Sequence, residues 1–207
     1  MQTNFSDSLK FTLQSEGGFV NNPHDPGGAT MKGITLATYR SWKQNPSLTA
    51  IDLKAITDEE VASIYKQNYW DVNSCDSLAL GVDLMVFDMD VNAGDSRSAK
   101  LLQASIGAAV DGAVGPATLA AANAMDAKTL INKLSSRQLA FYQSLSTWQY
   151  FGKGWTNRIH ARTTAALEMA SNTPPFPLPD PLPVQPLQPA PLDEPPATFW
   201  SWLASIF

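Results

Sequence analysis

The chain has 207 residues, of which 44% are apolar, and its formal net charge at pH 7 is −5. This length and apolar content suffice for one or two domains with a proper hydrophobic core. The acidic balance excludes a strong electrostatic attraction to nucleic acid, and the single cysteine, Cys75, excludes an intramolecular disulfide. No stretch reaches the roughly 20 apolar residues of a membrane span, and the N-terminus lacks the pattern of a secretory signal, so we expect synthesis in the cytoplasm.

The first predicted element is an amphipathic helix, because apolar residues recur every four positions from Phe5 to Leu13. We expect Gly17 and Gly18 to end it by supplying a residue in the left-handed conformation. Glu16 would then lie in the last helical turn, where the partial negative charge of the helix disfavours an ionised carboxylate. Since a general acid must hold a proton, Glu16 is the candidate acid. The alternative is a solvated surface glutamate.

The segment from Phe19 to Thr35 is rich in Gly and Pro and predicts short extended pieces joined by turns, including a small hairpin. A second carboxylate, Asp25, follows Glu16 by nine residues. Glycines beside polar and acidic side chains let a backbone approach a bulky polar substrate closely. Asp25 is therefore a second candidate, with the capping of a turn as its alternative role. The two histidines and one cysteine of the chain predict no metal site.

Three short motifs follow one another here: Glu16-Gly17-Gly18, Asp25-Pro26-Gly27-Gly28-Ala29-Thr30 and Gly33-Ile34-Thr35. In this order they resemble the N-terminal signature of the glycoside hydrolase family 108 muramidases, which are lysozyme-like enzymes of phage lysis and of some bacterial secretion systems. The resemblance implies a mainly α-helical, lysozyme-like fold with a small hairpin region after the first helix. It also implies cleavage of the β-1,4 bond between N-acetylmuramic acid and N-acetylglucosamine in peptidoglycan, without a cofactor.

The same resemblance assigns roles within the loop. Glu16 is the acid, while Asp25 and Thr30 orient water or stabilise the transition state on the other face of the sugar. The threonine that positions water is open between Thr30 and Thr35. Gly27 and Gly28 are expected to contact the substrate.

The next marked helical pattern begins with a predicted capping box formed by Thr57 and Glu60. Tyr69 and Trp70 close this pattern and are candidates for stacking on a sugar ring. Aromatic residues at helical spacing are more often core residues, so a core position is the favoured alternative for Tyr69. Trp70 lies off the apolar stripe, so we expect it on the wall of the substrate cleft.

The stretch from Asp76 to Asn92 is strongly apolar and predicts a buried central helix. Its end is similar to the point at which the second module of the family 108 muramidases begins, and Asn92 is a further candidate for substrate contact. The aspartates from Asp88 onward suggest a calcium loop. That interpretation fails because Ala93 and Ala99 stand where the loop requires Gly and Glu.

Beyond this helix, the run from Leu102 to Leu119 resembles predicted peptidoglycan-binding domains, with glycine turns between helices. One long helix is predicted through Trp148 and is expected to break at Gly152-Lys153-Gly154. Trp155 would open the last helix as an aromatic anchor, and Arg158 would bridge to the first domain.

We therefore predict a catalytic domain at 1–90, a helical peptidoglycan-binding subdomain at 91–170, a Pro-rich linker at 171–196 and an apolar tail at 197–207. The composition changes abruptly at the linker, since residues 174–196 contain 11 of the 15 prolines, which is typical of a disordered polyproline-type spacer. An eleven-residue tail would span about half a bilayer core as a helix, which excludes a membrane span. Two roles are open for it: interfacial insertion, and docking either on a partner or back on the domain.

The predicted function is that of a peptidoglycan hydrolase, an N-acetylmuramidase of phage lysis or of wall remodelling and secretion. Its partner is bacterial peptidoglycan and not nucleic acid, and it reaches the cell wall after holin- or secretion-dependent release. The alternative is a catalytically silent peptidoglycan-binding or secretion-accessory protein whose tail docks on a membrane or a partner.

Overall fold

The computed structural model describes residues 4–21 and 28–172, which form nine α-helices and one two-stranded sheet. The sheet consists of β1 (Thr30–Met31) and β2 (Ile34–Thr35). The helices are α1 (Phe5–Leu13), α2 (Leu36–Trp42), α3 (Ala50–Lys54), α4 (Asp58–Tyr65), α5 (Val82–Ala93), α6 (Asp95–Ile106), α7 (Pro116–Asn123), α8 (Ala127–Gln143) and α9 (Trp148–Ser171). A π-helical turn (Lys66–Trp70) and a 3₁₀ turn (Cys75–Ser77) separate α4 from α5. The prediction of a mainly α-helical fold with a small hairpin is confirmed.

Helix α5 is the centre of the molecule, as its strongly apolar sequence predicts. Eleven of its twelve residues are buried, because α1, α6, α8 and α9 all pack around it. The main hydrophobic cluster joins Leu9 of α1 and Phe87 of α5 to Leu134 of α8 and Ala166 of α9. The predicted boundary at residue 90 lies inside α5, and the core runs across it without interruption.

The hairpin between β1 and β2 turns at Lys32 and Gly33, which both have positive φ values, 48° and 74°. Two positive φ values are typical of the tight turns whose twist matches that of the strands. Lys32 is an unusual residue for this conformation, and two contacts with α4 stabilise it. The Tyr65 hydroxyl donates to the Lys32 carbonyl oxygen at 2.9 Å, and the Lys32 ammonium pairs with Asp58.

Local signals predicted several helix ends correctly. Thr57 and Glu60 form the expected capping box at the start of α4. Gly107, at φ 79°, ends α6, and Pro116 opens α7. Among the helices of the described residues, none is long and apolar enough to cross a membrane.

The ends of α1 and α8 differ from the predictions. Neither Gly17 nor Gly18 has a positive φ value, so the prediction of a left-handed glycine cap is wrong. The helix instead tightens, because the amides of residues 14, 15 and 16 each bond to a carbonyl oxygen three residues earlier. Because of these bonds, the chain keeps turning in a helical sense as far as Glu16.

The predicted break at Gly152-Lys153-Gly154 is also wrong, because α9 runs through these residues without interruption. The chain breaks earlier, at residues 144–147, where the Ser144 hydroxyl bonds to the Phe141 carbonyl oxygen. Gly152 serves close packing: a Cβ added to it would lie 2.7 Å from the Trp148 ring. Burial of this aromatic contact outweighs the low helix propensity of glycine.

Candidate active site

Glu16 lies partly buried beneath the hairpin turn. A Cβ atom added to Gly33 would lie 2.6 Å from Glu16 Oε2 and 2.5 Å from the Tyr65 hydroxyl. Such distances are well inside van der Waals contact, so only glycine lets the turn come this close to the carboxyl group. The hairpin therefore sits directly on the candidate acid, and Gly33 makes that approach feasible.

Two tyrosines share the electrostatic environment of Glu16. Burial raises the pKa of Tyr65 well above its ordinary value, and the Glu16 carboxylate adds to the rise. Burial likewise raises the pKa of Tyr69 to about 12, with smaller contributions from Asp90 and Glu16. The rings of Tyr65 and Tyr69 are tilted against each other with centroids 5.4 Å apart. Both phenols therefore stay neutral hydrogen-bond donors close to the acid.

A buried ionic network lies behind the site and joins α1, α5 and α9. Asp88, fully buried on α5, accepts hydrogen bonds from Thr12 at 2.9 Å, from Arg158 Nη2 at 2.7 Å and from Arg162 Nη1 at 2.7 Å. Burial alone raises the pKa of Asp88, but the two guanidinium groups outweigh it and lower the pKa to about 2. The prediction that Arg158 bridges to the first part of the chain is confirmed.

Arg158 also connects this network to Glu16. Burial by itself lowers the pKa of the Arg158 guanidinium, whereas the Asp88 carboxylate and then the Glu16 carboxylate raise it, and the net pKa lies above its usual value. Arg158 is therefore close enough to both carboxylates to interact with each. The electrostatic environment of the acid therefore includes a cation from α9.

Thr30 and Thr35, the two candidates for the residue that positions water, differ in the hydrogen bonds that their hydroxyls make. The Thr35 hydroxyl caps α2, since it accepts from the Thr38 amide at 3.1 Å and also bonds to the Thr38 hydroxyl. Thr30 sits in β1 opposite Thr35, and its backbone pairs with Val20 on its other side. Within the described residues the Thr30 hydroxyl makes no hydrogen bond, so it remains available to a water or a sugar.

Two residues predicted to contact the substrate lie in the core, and these predictions are wrong. Trp70 has 0% exposure because Phe5 and Phe87 pack edge-on against its ring and Asp76 accepts its indole N–H at 2.7 Å. Asn92 is buried one turn after Asp88, and its side-chain amide donates to the Asp88 carbonyl and carboxylate oxygens. Tyr69, by contrast, is partly exposed beside the acid.

The remaining predicted site residues are Asp25, Gly27 and Gly28. Asp25 and Gly27 lie outside the described residues, and their roles stay predictions. Gly28, at φ 69°, adopts the left-handed conformation that favours glycine. A Cβ added to Gly28 would meet no atom of the described residues within 4 Å, so among these residues it is the backbone conformation that calls for glycine there.

Sequence reasoning missed Tyr65 and Arg162. Tyr65 looked like one more apolar residue on the stripe of α4, and only its contact with the hairpin carbonyl shows its second function. Arg162 lies one turn after Arg158 on α9, and both arginines pair with Asp88. Two cations at this spacing on a helix that packs against the core could have indicated that they neutralise a buried carboxylate. In the described part of the chain, no group of His, Cys, Asp and Glu side chains could hold a metal ion.

Asp90 is a second buried carboxyl near the site, and it makes stability depend on pH. Burial raises its pKa from 3.8 to about 8, although the Asn73 amide donates to it at 2.7 Å. The folded state thus holds a proton that the unfolded state releases, so the free energy of unfolding falls as the pH rises from about 4 to about 8. We expect Asp90→Asn, which removes this titration, to gain stability relative to the parent across that interval. Urea unfolding of both proteins at several pH values measures the difference, and parallel pH profiles would contradict the prediction.

These features define a class: a helical enzyme with one carboxylic acid held between a hairpin, two neutral tyrosines and an arginine. The family model described as Glycosyl hydrolase 108 matches residues 9–94, here called the first module. The model described as Predicted Peptidoglycan domain matches residues 97–160, here called the second module. Brucella abortus SagA, a solved structure, is similar at 38% identity and a TM-score of 0.72, over 82% of this chain and 97% of that one. No curated protein matches the chain.

The chain belongs to the glycosyl hydrolase 108 family. It is a lysozyme-like glycoside hydrolase, and its substrate is peptidoglycan.

Proposed function

We propose that the enzyme is an N-acetylmuramidase, which hydrolyses the β-1,4 bond from N-acetylmuramic acid to N-acetylglucosamine with Glu16 as its general acid. The observation that supports this assignment most is the contact of the hairpin turn with the Glu16 carboxyl, which a side chain at Gly33 would block. No other carboxyl among the described residues combines this close approach of a turn with a place in one of the matched motifs.

In this mechanism Glu16 transfers its proton to the glycosidic oxygen as the bond to the anomeric carbon breaks. The leaving N-acetylglucosamine keeps that proton as a hydroxyl hydrogen. Water adds its oxygen to the anomeric carbon of muramic acid from the opposite face and gives one of its protons to a base, for which Asp25 is the proposed residue. Thr30 is the described hydroxyl that can orient this water.

Tyr65 and Tyr69 have a supporting part in this scheme. Because both phenols are neutral, each can donate a hydrogen bond to a sugar oxygen or to the carboxylate that Glu16 becomes once it has given up its proton. Tyr65 already donates to the hairpin carbonyl and so holds the turn over the acid. Tyr69, the more exposed of the two, is the proposed contact to the sugar.

Mass analysis of the fragments released from purified sacculi tests the bond specificity. We expect every new reducing end to be N-acetylmuramic acid, each carrying the mass of one added water. Reducing-end N-acetylglucosamine would identify a glucosaminidase instead, and an anhydro-muramic product would identify a transglycosylase. Either of these products would overturn the proposal.

A further inference from the structure

Charge is divided unevenly along the chain, although its net charge is acidic. Residues 1–94 contain 6 Lys and Arg against 12 Asp and Glu, whereas residues 95–172 contain 8 Lys and Arg against 4 Asp and Glu. Two of these eight cations, Arg158 and Arg162, are paired with Asp88, and the other six still outnumber the four carboxylates. A basic module favours an anionic ligand.

One surface of this basic part forms a shallow, open groove of about 590 Å³. Its lining residues are Ser105, Thr129, Asn132, Lys133, Ser136 and Arg137. All but Ser105 come from α8 at intervals of three or four residues, so they share one face of that helix. The opposite face of α8, with Leu130, Ile131 and Leu134, is buried in the core, which fixes the groove-lining face outward.

The two cations of this face lie one helical turn apart and are exposed. No carboxylate in residues 4–21 and 28–172 lies within ion-pair distance of Lys133 or Arg137. Asp126, the carboxylate at the start of α8, is engaged by the amide and hydroxyl of Thr129 at 2.8 Å. Both positive charges are thus left for a ligand.

The chemistry of the lining indicates what that ligand is. The described residues that line the groove include no aromatic ring and so offer no face on which a sugar could stack. They present a guanidinium, an ammonium, an amide and hydroxyl groups, a set that suits carboxylates. Peptidoglycan carries carboxylates on its peptide stems, whereas its glycan backbone is recognised mainly through hydroxyls and acetamido groups.

We propose that this groove of the second module is a non-catalytic site that binds the carboxylates of the peptide stems. The proposal rests on the proposed function in one respect, since its ligand is part of that enzyme's substrate. It adds that binding to the wall is ionic, that it requires the stem peptide, and that Lys133 and Arg137 are its main contacts.

Sedimentation with purified, teichoic-acid-free sacculi tests the proposal. All proteins are the full chain carrying Glu16→Gln, and they are compared at low temperature so that the sacculi stay intact. We expect Lys133→Gln/Arg137→Gln to bind about tenfold more weakly than the parent, because two charge-assisted contacts are lost. The matched control, Lys128→Gln/Lys153→Gln, removes the same charge from exposed positions outside the groove and should bind like the parent.

A second comparison uses glycan strands from which an amidase has removed the stems. The parent should bind these strands as weakly as the groove variant does. Equal binding of the groove variant and the control to sacculi would overturn the proposal, and so would parent binding that persists on stem-free strands. Equally tight binding of the parent to duplex DNA would also overturn it, since the groove would then prefer phosphate. None of these results depends on which bond the enzyme cleaves, so they separate this proposal from the muramidase assignment.

Discussion

Replacing Glu16 with Gln is expected to lower the rate of release of reducing ends from sacculi by about 10²–10⁴-fold, because a positioned general acid contributes about that much. The amide keeps the size of the side chain but cannot supply the proton. The position beneath the hairpin should be retained, so the midpoint of thermal unfolding should change little. The measurement is a reducing-end assay under conditions where substrate is in excess.

Glu168→Gln is the matched control, since the same chemical change is made at an exposed residue of α9 far along the chain from the motif. Its activity should equal that of the parent. Full activity in Glu16→Gln, with the control also active, would remove Glu16 from the mechanism.

The second large effect is expected at Asp88, where Asn should lower the free energy of unfolding by about 3–5 kcal/mol. Asp88 neutralises Arg158 and Arg162, and the Arg162 side chain is 1% exposed. The amide leaves these guanidinium groups buried without their counter-charge. Urea unfolding at neutral pH measures the loss.

The sign of the pH dependence provides an independent check on Asp88. Its pKa is about 2 in the folded protein and lies below the ordinary value, so its stabilising contribution is present above the unfolded pKa and is lost as the pH falls towards 2. The difference between parent and variant should shrink accordingly in acid. Asp58→Asn, at an ion pair whose carboxylate is 84% exposed, is the control and should change stability little. A loss at Asp88 no larger than the loss at Asp58 would contradict the prediction.

Features encoded by local sequence were predictable. Central helix α5 follows from a strongly apolar stretch around Leu84 and Phe87, and the capping box at Thr57 follows from two side chains that satisfy the first amides of α4. The place of Glu16 at the end of α1 was also predictable, although the way in which the helix ends was not. Its glycines adopt ordinary backbone conformations, and i→i−3 bonds close the last turn instead.

Features that depend on contacts between distant segments were not predictable. Trp70 is buried because Phe5, from α1, and Phe87, from α5, both pack on its ring. Gly152 is helical because Trp148 covers it, and a glycine in a sequence does not show whether it breaks a helix or admits a neighbour. The assignment of Asn92 to the substrate failed for a related reason, since its partner, Asp88, is held in the core by arginines 70 or more residues away.

The Asp88 network has a consequence for how proteins of this architecture can be recombined. The two matched segments meet between residues 94 and 97, which suggests a junction at which wall-binding parts could be exchanged. A chain cut there would keep Asp88 but lose both arginines, together with the Leu134 and Ala166 side of the core. We expect such hybrids to have an incomplete core and a buried Asp88 without its arginines. The unit that can be transplanted intact therefore extends from α1 through α9, and additions are best joined after Ser171.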